Sequence, residues 1–421
     1  MTNGAPRDEL RSQWRLLVAC VLGVSYGMSA MGLTYTLGAF VGPLSKEFGW
    51  SRQEVLTVTV FATLGVVPAS LAGGWIVDRF GARRFTLLSQ LGLGVVFIAL
   101  GLFVDSLPML YALYFLLPLL SIGTTPITFG KVIAGAFDRQ RGFALGLALA
   151  GTGLCAITVP PFAAWVIDEW GWRAGYVAVG LLPLVIALPA TWAWIPERHG
   201  DEMADSSRDA VGVAAADAFR SLRFWAMMLA FFIVSGAATG LLTNAVPLLT
   251  SRGHSPVAAA SALSLFGVAV VVGRLLVGWL VDRFWAPLVG LAFLVPAGLA
   301  VLSLIPGDVS WAWILAALCV AGLATGAEFD LCAYLVIRYF GLRAYGRIYG
   351  ALFIAFAAGA GAIGPLFGAL YDRFERYDEI LAIVGAGYVG CALVLLSLGR
   401  YPDASRNAAG ATQLAATRQE P

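Results

Sequence analysis

The chain repeats a charged, glycine-containing string at a spacing of 204 residues. Residues 74–84 read GWIVDRFGARR and residues 278–284 read GWLVDRF, and each string closes a long apolar run. Other residues keep the same spacing, among them Gly142 with Gly346, Gly146 with Gly350, Pro161 with Pro365 and Asp168 with Asp372. An internal repeat of this kind indicates that the fold is assembled from two similar halves.

The composition places both halves in a lipid bilayer. Hydrophobic residues make up 59% of the chain and charged residues 12%, and the mean hydropathy is +0.82. Lipid offers no partner to backbone N–H and C=O groups, so apolar runs of about 20 residues must be helical. We predict an all-α membrane protein with twelve spans, six per half, at 14–42, 54–77, 85–104, 108–137, 142–167, 173–195, 223–250, 256–281, 286–305, 310–340, 346–371 and 379–399.

These spans divide the chain into five segments. We predict an N-terminal segment (1–13), a first six-helix bundle (14–195), a linker (196–222), a second bundle (223–400) and a tail (401–421). The linker is the longest polar interruption. The tail is rich in Ala, Gly, Gln and Thr without apolar periodicity, which is typical of disorder. The first apolar run has no evident cleavage site, so it is expected to be a retained span.

The basic residues outside the spans or near their ends indicate the orientation. Nineteen lie on the side of the N-terminus and six on the other side. Because Lys and Arg accumulate in cytoplasmic loops, both termini and the linker are predicted to be cytoplasmic, in the plasma (inner) membrane. The net charge of +2 follows from this topology, and it does not indicate a nucleic-acid partner.

Four charged residues fall deep inside predicted spans, away from the span ends. Lys131 lies in span 4, Arg274 in span 8, and Glu328 and Asp330 lie in span 10 at a similar depth. An ionisable group near the bilayer centre costs at least about 2.5 kcal/mol, so each is expected to face a partner or a water-filled cavity. We predict that the two cations face the two acids, with the alternative that the Lys131 side chain extends to the headgroups.

The two acids are expected to have different neighbours. Glu328 and Asp330 are two residues apart and point about 200° from one another on a helix, so one is expected to face the cavity. Asp330 shares a helix face with Tyr334 and is the preferred cavity residue. Glu328 is then expected to support helix packing.

Several functional classes receive little support. A membrane enzyme would need a nucleophile with a base or metal ligands, and the two histidines, His199 and His254, fall in the linker and in an external loop. The five cysteines lack metal-binding or redox spacing, so no metal and no cofactor is expected. A channel would need a continuous polar pore, and polar residues in the spans are too sparse for one.

The string GWIVDRFGARR resembles the loop motif between helices 2 and 3 of the major facilitator superfamily, whose pattern is G-x-x-x-D-R-x-G-x-R-R. The matching residues are Gly74, Asp78, Arg79, Gly81, Arg83 and Arg84. The second copy keeps Gly278, Asp282 and Arg283 and lacks the final Gly-x-Arg-Arg. The resemblance implies two bundles that alternate access to a central site, with the motif residues gating transport rather than binding substrate.

Three further segments resemble a narrower branch, the monocarboxylate transporters and the oxalate/formate antiporters. They are residues 38–52, 141–153 and 328–350, together with an arginine in span 8. The resemblance implies that Arg274 binds the substrate carboxylate. Span 11 lacks the lysine that oxalate exchangers place there, which favours a monoanion. Where animal members carry a lysine in span 1, this chain offers Tyr26, Ser29, Thr34 and Tyr35.

The expected function is secondary transport of a small monocarboxylate, such as lactate or pyruvate, together with a proton. Arg274 is expected to bind the anion, Asp330 and Glu328 to couple the proton, and the residues that orient the ligand are Tyr26, Tyr114, Asn244 and Tyr334. We expect the protein to act as a monomer. The alternatives are an organic-anion exchanger, a proton-coupled carrier of another small organic solute, and a non-transporting sensor on the same fold.

Overall fold

A computed structural model describes residues 6–197, 212–306 and 309–402. In the first half, α-helices run over Pro6–Ser12 (α1), Trp14–Ser25 (α2), Leu37–Phe48 (α3), Arg52–Leu56 (α4), Val58–Phe80 (α5), Ala82–Phe103 (α6), Leu107–Ser121 (α7), Pro126–Ala136 (α8), Arg141–Leu149 (α9), Gly151–Leu182 (α10) and Leu188–Trp194 (α11). In the second half they run over Ala215–Arg220 (α12), Leu222–Ser251 (α13), Pro256–Val281 (α14), Ala286–Leu302 (α15), Trp311–Phe340 (α16), Tyr345–Phe374 (α17) and Asp378–Leu396 (α18).

These helices provide twelve membrane spans. Ten helical stretches of the described chain are long and apolar enough to cross a bilayer. One of them, 141–194, is 54 residues long and contains two spans, because Gly171 leaves the helical conformation with φ 82° and ψ 168°. The shorter apolar helix α15, of 17 residues, completes the set. The prediction of an all-α fold with two six-helix bundles is confirmed.

Two inner spans of the first half are broken. The first span divides into α2 and a π-helix at Met28–Tyr35, and the fourth divides into α7, a 3-10 turn at Ile122–Thr124 and α8. The Thr124 hydroxyl donates to the Ser121 carbonyl at 2.7 Å, an alternative to continued helical bonding. Pro126 then starts α8, where its missing N–H is tolerated.

The two breaks meet inside the first bundle. The N–H of Met28 donates to the Thr124 hydroxyl oxygen at 2.9 Å. A Cβ atom at Gly27 would lie 2.5 Å from the Thr124 carbonyl oxygen, so only glycine permits this approach. The corresponding spans of the second half, α13 and α16, run as continuous helices of 30 residues each.

The two halves pack through α5 against α17 and α9 against α14. Glycines allow the close approach: a Cβ at Gly74 would lie 2.3 Å from the Gly346 carbonyl oxygen, and one at Gly278 would lie 2.4 Å from the Gly142 carbonyl oxygen. Both contacts lie at the arginine-rich end, which we define by the loops at 78–84, 138–143, 282–286 and 338–347. The halves are therefore closed together at this end.

The end of the linker is attached to the second half. Gly212 pairs with Gly341 in an antiparallel bridge, and the N–H of Val213 donates to the Phe340 carbonyl at 2.9 Å. The short helix α12 follows within the predicted linker, and α13 begins at Leu222. The linker residues 198–211, with His199, and most of the predicted disordered tail, 403–421, lie outside the described residues.

Candidate functional site

The central charged group is an ion pair between α14 and α16. Arg274 Nη1 lies 3.9 Å from Asp330 Oδ2, and the two side chains are 7% and 1% exposed. α14 and α16 pack tightly because Gly326 faces the Arg274 backbone, where a Cβ would lie 3.0 Å from the Arg274 nitrogen. The ion pair is thus buried where α14 and α16 meet. The structure brings these two predicted site residues together.

The ion pair leaves most of its hydrogen-bonding capacity unused. The Nε and Nη1 atoms of Arg274 and both carboxylate oxygens of Asp330 are buried without a hydrogen-bond partner. At 3.9 Å the two groups are too far apart for a hydrogen bond, so only the attraction between their charges joins them. Buried polar groups are normally hydrogen-bonded, and exceptions mark sites where something else binds. The Arg274 guanidinium therefore has N–H groups that can donate to a ligand.

Glu328 lies on a different side of α16. It is 3% exposed, and its Oε1 atom has no hydrogen-bond partner. It acts electrostatically on Tyr388 and Cys391 of α18, which pack inside the second bundle. Arg274 acts on both acids. Of the two acids, only Asp330 is within ion-pair distance of Arg274, so Asp330 is its direct partner.

Other side chains adjoin the Arg274 guanidinium. Its Cζ atom lies 5.7 Å from the centre of the Phe329 ring. Arg274 also acts electrostatically on Tyr35 of the first half and on Tyr349 of α17, and Tyr349 in turn interacts with Asp330. The Tyr349 hydroxyl is buried without a hydrogen-bond partner. Tyr35 and Tyr349 are thus site neighbours drawn from two other helices.

Lys131 does not join this group. Its ammonium donates to Asp78 Oδ1 at 2.8 Å and to the Val77 carbonyl at 3.2 Å, at the arginine-rich end. The expectation that it faces the acids of α16 is therefore wrong. Depth along the bilayer normal was similar, but α8 presents this side chain to α5 rather than across the cavity.

Two of the predicted ligand-orienting residues form hydrogen bonds within their own bundle, and a third, Tyr26, is buried beside a helix break. The Tyr114 hydroxyl lies 3.3 Å from the Tyr176 hydroxyl inside the first bundle, and Tyr114 is 2% exposed. The Asn244 amide donates to the Gly240 carbonyl of its own helix at 2.9 Å. Tyr26 is buried at the end of α2, beside the break. The hydrogen bonds of Tyr114 and Asn244 therefore lie within their own bundles rather than with Arg274.

Tyr334 lies at the arginine-rich end. It lines an open cavity of about 830 Å³ with Asp282, Arg338 and Tyr401. Arg338 stacks over the Tyr401 ring at 4.3 Å from its centre, which closes one side of this cavity. Tyr334 is therefore on the same helix as Asp330 but is directed to a separate space, away from Arg274.

A first latch joins the halves at Asp78. Its two carboxylate oxygens accept from the N–H groups of Gly346 and Arg347, each at 3.1 Å. These N–H groups start α17, where unsatisfied donors and the helix dipole favour an anion. Lys131 and the Arg347 side chain, at 2.8 and 3.6 Å, add two cations. The first latch is a carboxylate of one half bound to a helix terminus of the other.

A second latch repeats the arrangement at Asp282. Its oxygens accept from the N–H groups of Gly142 and Phe143, at 2.7 and 3.0 Å, close to the start of α9. Burial raises the pKa of the Asp282 carboxyl, while the two N–H groups and Arg283 act in the opposite direction. The two latches are related by the 204-residue spacing in both the carboxylate and the N–H groups.

The motif arginines have separate partners. Arg83 and Arg84 both bind the Glu197 carboxylate, at 3.2 and 2.8 Å. Arg79 lies over the Trp75 ring at 5.2 Å, and Arg283 lies over the Trp279 ring at 3.9 Å and donates to its carbonyl. Gly81 ends α5 with φ 89°, a conformation that favours glycine. The aspartates, rather than these arginines, make the contacts between the halves.

A family model described as Major Facilitator Superfamily matches residues 22–365, which include both latches and the central ion pair. This chain belongs to the major facilitator superfamily. Among solved structures of superfamily members, the fucose:proton symporter of Escherichia coli has a TM-score of 0.71 at 15% identity and covers 92% of this chain and 98% of that one. The shared fold is thus found over nearly the whole chain.

Sequence relatives in the superfamily carry names from the predicted branch. Monocarboxylate transporter 11 of Homo sapiens is 26% identical, over 92% of this chain and 83% of that protein. The oxalate:formate antiporter of Oxalobacter formigenes is 25% identical, over 93% of each chain. The resemblance to this branch is confirmed, and the relatives are transporters rather than enzymes.

Sequence reasoning missed Tyr349 and did not select Tyr35 as a site residue. Tyr35 was noted among residues replacing the lysine of animal members in span 1, and that substitution was the available signal. Tyr349 follows Tyr345 by one helical turn, and their rings lie 5.5 Å apart. An aromatic pair of this kind is usual in apolar helix packing, so the pattern alone carried no functional signal.

Proposed function

We propose that this protein is a secondary transporter of small organic monocarboxylates, and that it carries a proton with the anion. The two bundles would expose Arg274 alternately to each side of the membrane. The arginine-rich end would face the cytoplasm, with both termini on that side of the plasma (inner) membrane. The names of the relatives support an organic-anion substrate, and lactate- or pyruvate-like acids match a single guanidinium.

The observation that supports this proposal most is the unused hydrogen-bonding capacity of the buried Arg274 guanidinium. A guanidinium keeps its charge at all relevant pH values and can hold a carboxylate in two parallel hydrogen bonds. Its Nε and Nη1 atoms lack partners although the side chain is buried. Burying such donors is costly unless a ligand completes them in part of the cycle.

Asp330 would provide the coupling. When ionised it neutralises Arg274 across 3.9 Å and competes with an anionic substrate. Protonation removes that competing charge and leaves Arg274 free to bind the carboxylate. Anion and proton would therefore bind together and be released together, which is symport.

Proteoliposomes test the coupling directly. We expect uptake of a radiolabelled monocarboxylate to rise when the outside is acidified and to collapse when a protonophore is added. Uptake that ignores the pH gradient and requires an anion on the opposite side would indicate an exchanger. Absence of any flux, with binding retained, would indicate a sensor.

The two acids of α16 can be separated by matched variants. Asp330→Asn keeps the shape of a protonated carboxyl, so we expect it to retain counterflow and lose pH-driven accumulation. Glu328→Gln is expected to lower the amount of folded protein, because Glu328 lies among packed residues of the second bundle. Both activities must be normalised to protein in the membrane. If Glu328→Gln alone uncouples transport from the proton gradient, Glu328 rather than Asp330 is the coupling residue.

A further inference from the structure

Three phenylalanine rings form an aromatic wall beside Arg274. Phe329 of α16 and Phe356 of α17 have ring centres 4.3 Å apart, and Phe353 lies 6.1 Å from Phe329 and 6.2 Å from Phe356. The rings of Phe353 and Phe356 are nearly parallel, with an interplanar angle of 13°. The wall therefore joins two helices of the second bundle and presents flat ring faces.

The wall is on the interior side of α17. Ala358 and Ala362 are exposed and lie on the side of α17 opposite Tyr349, which interacts with Arg274. Phe356 is two residues before Ala358, which places it about 160° away around the helix. Phe356 and Phe329 are nonetheless only partly buried. A partly exposed ring on the interior side borders internal space rather than lipid.

The position of the wall relative to Arg274 determines what part of a ligand it touches. The guanidinium carbon lies 5.7 Å from the centre of the Phe329 ring. With a hydrogen bond of about 2.9 Å from Nε or from Nη1, a carboxylate would hold its organic group within a few ångströms of this wall. Aromatic rings prefer stacked or edge-on contact at centroid distances of about 4.5–7 Å.

We propose that the preferred substrates are aromatic monocarboxylates, with the ring close to the carboxylate as in benzoate. Phe329 and Phe356 would determine this specificity by packing on the substrate ring while Arg274 binds the carboxylate. This inference rests on the proposed function, since it places the anion on Arg274. A short aliphatic acid would occupy the guanidinium but leave the wall without contact.

Benzoate and cyclohexanecarboxylate form the decisive pair of probes, because they share the carboxylate and nearly the same size but only one is aromatic. We expect purified wild-type protein to bind benzoate roughly 2- to 10-fold more tightly, the range that an aromatic contact supplies. The same order should appear when each acid competes for uptake into proteoliposomes. Lactate serves as the short aliphatic probe.

Phe329→Leu and Phe356→Leu keep apolar volume and remove the ring. Each variant is expected to bind benzoate and cyclohexanecarboxylate about equally well. Its affinity for cyclohexanecarboxylate should stay within about twofold of wild type. Phe103→Leu is the matched control, because Phe103 is 61% exposed at the end of α6 and remote from Arg274. Thermal unfolding of each variant verifies folding.

The outcomes separate this inference from the proposed function. If wild type binds both ring acids equally, or if the leucine variants weaken both equally, the aromatic specificity is overturned while carboxylate transport stands. If Arg274→Lys binds and transports every acid like wild type, Arg274 is not the anion site and this inference fails, while carboxylate transport stands. If wild type transports none of these acids, the proposed function itself fails.

Discussion

At the 204-residue spacing, Glu328 and Asp330 of the second half correspond to Thr124 and Pro126 of the first, and Arg274 corresponds to Ser70. The first half breaks its helix at these positions, with a 3-10 turn that ends at Thr124, while α16 continues unbroken through the two acids. Equivalent positions therefore hold a backbone break in one half and buried charge in the other. A repeat preserves architecture and leaves each half free to specialise.

The latches differ in the same way. Asp78 receives two N–H donors and also lies near Lys131 and the Arg347 side chain. The positions equivalent to these cations at the second latch are Leu335 and Phe143. The first latch is therefore held by charge as well as by hydrogen bonds, and the second is held mainly by N–H donors.

The largest effect should distinguish Arg274 from its first-half counterpart. Arg274→Lys keeps the charge but loses the planar guanidinium that can donate two parallel hydrogen bonds. We therefore expect monocarboxylate uptake to fall roughly 10- to 100-fold, as loss of charge-assisted hydrogen bonds predicts. Ser70→Ala should leave uptake within about twofold, although Ser70 is equally buried. Equal losses in both variants, measured in proteoliposomes, would remove the specialisation of the second half.

The glycine contacts should behave alike in both halves. Gly74→Ala and Gly278→Ala each place a methyl group 2.3–2.4 Å from a backbone carbonyl oxygen of the other half. Backbone cannot move aside as a side chain can, so we expect overpacking to cost about 1–3 kcal/mol of closure at the arginine-rich end and to reduce transport. Thiol labelling of a cysteine introduced at the closed interface measures how far the halves remain closed.

Gly42→Ala is the control for the glycine variants, because a Cβ there would meet nothing within 4 Å. If Gly74→Ala alone impairs closure, the α9–α14 interface is the looser of the two. That result would extend the asymmetry of the latches to the helix packing.

Removal of charge from the latches should have unequal, moderate effects. Asp78→Asn should loosen closure by about 1–3 kcal/mol, since it leaves Lys131 without its carboxylate partner. Asp282→Asn should change closure little, because it leaves no comparable cation without a partner and burial already disfavours the charged form of this carboxyl. Thiol labelling of a cysteine introduced at this interface compares the two variants. A larger effect at Asp282 would contradict the proposed inequality.

The smallest effect concerns pH at the second latch. Burial raises the folded-state pKa of Asp282, so ionisation of this carboxyl disfavours the folded, latched form. Its contribution to stability should be fully present below the ordinary pKa of Asp, about 3.9, and be lost as the pH rises through the raised value. Thermal unfolding of wild type minus Asp282→Asn across this window measures it. A difference that grows with rising pH would refute the sign.

The sequence predicted the architecture well because its strongest signals act along the chain. Apolar run length determines the spans, and the spacing of the repeat related Asp78 with Gly346 to Asp282 with Gly142 before their contacts were known. The prediction of Arg274 near Asp330 also followed from depth. Each of these inferences needs only distance along a helix.

The errors arose where rotation around the helix mattered. Lys131 has the predicted depth but points to Asp78, and Tyr334 shares a helix with Asp330 but borders another cavity. In helices that are apolar on nearly every side, composition does not indicate which side faces inward. Tyr114 shows the same limit, since a buried hydroxyl can find its partner within one bundle.

The bond between Met28 and Thr124 has a mechanical consequence. Two spans, each interrupted midway, are joined by a hydrogen bond at their interruptions. Bending of one span at its interruption would then be coupled to bending of the other, so the first half can deform at one shared hinge. The second half, in which the matching helices α13 and α16 are continuous, would move as a rigid body.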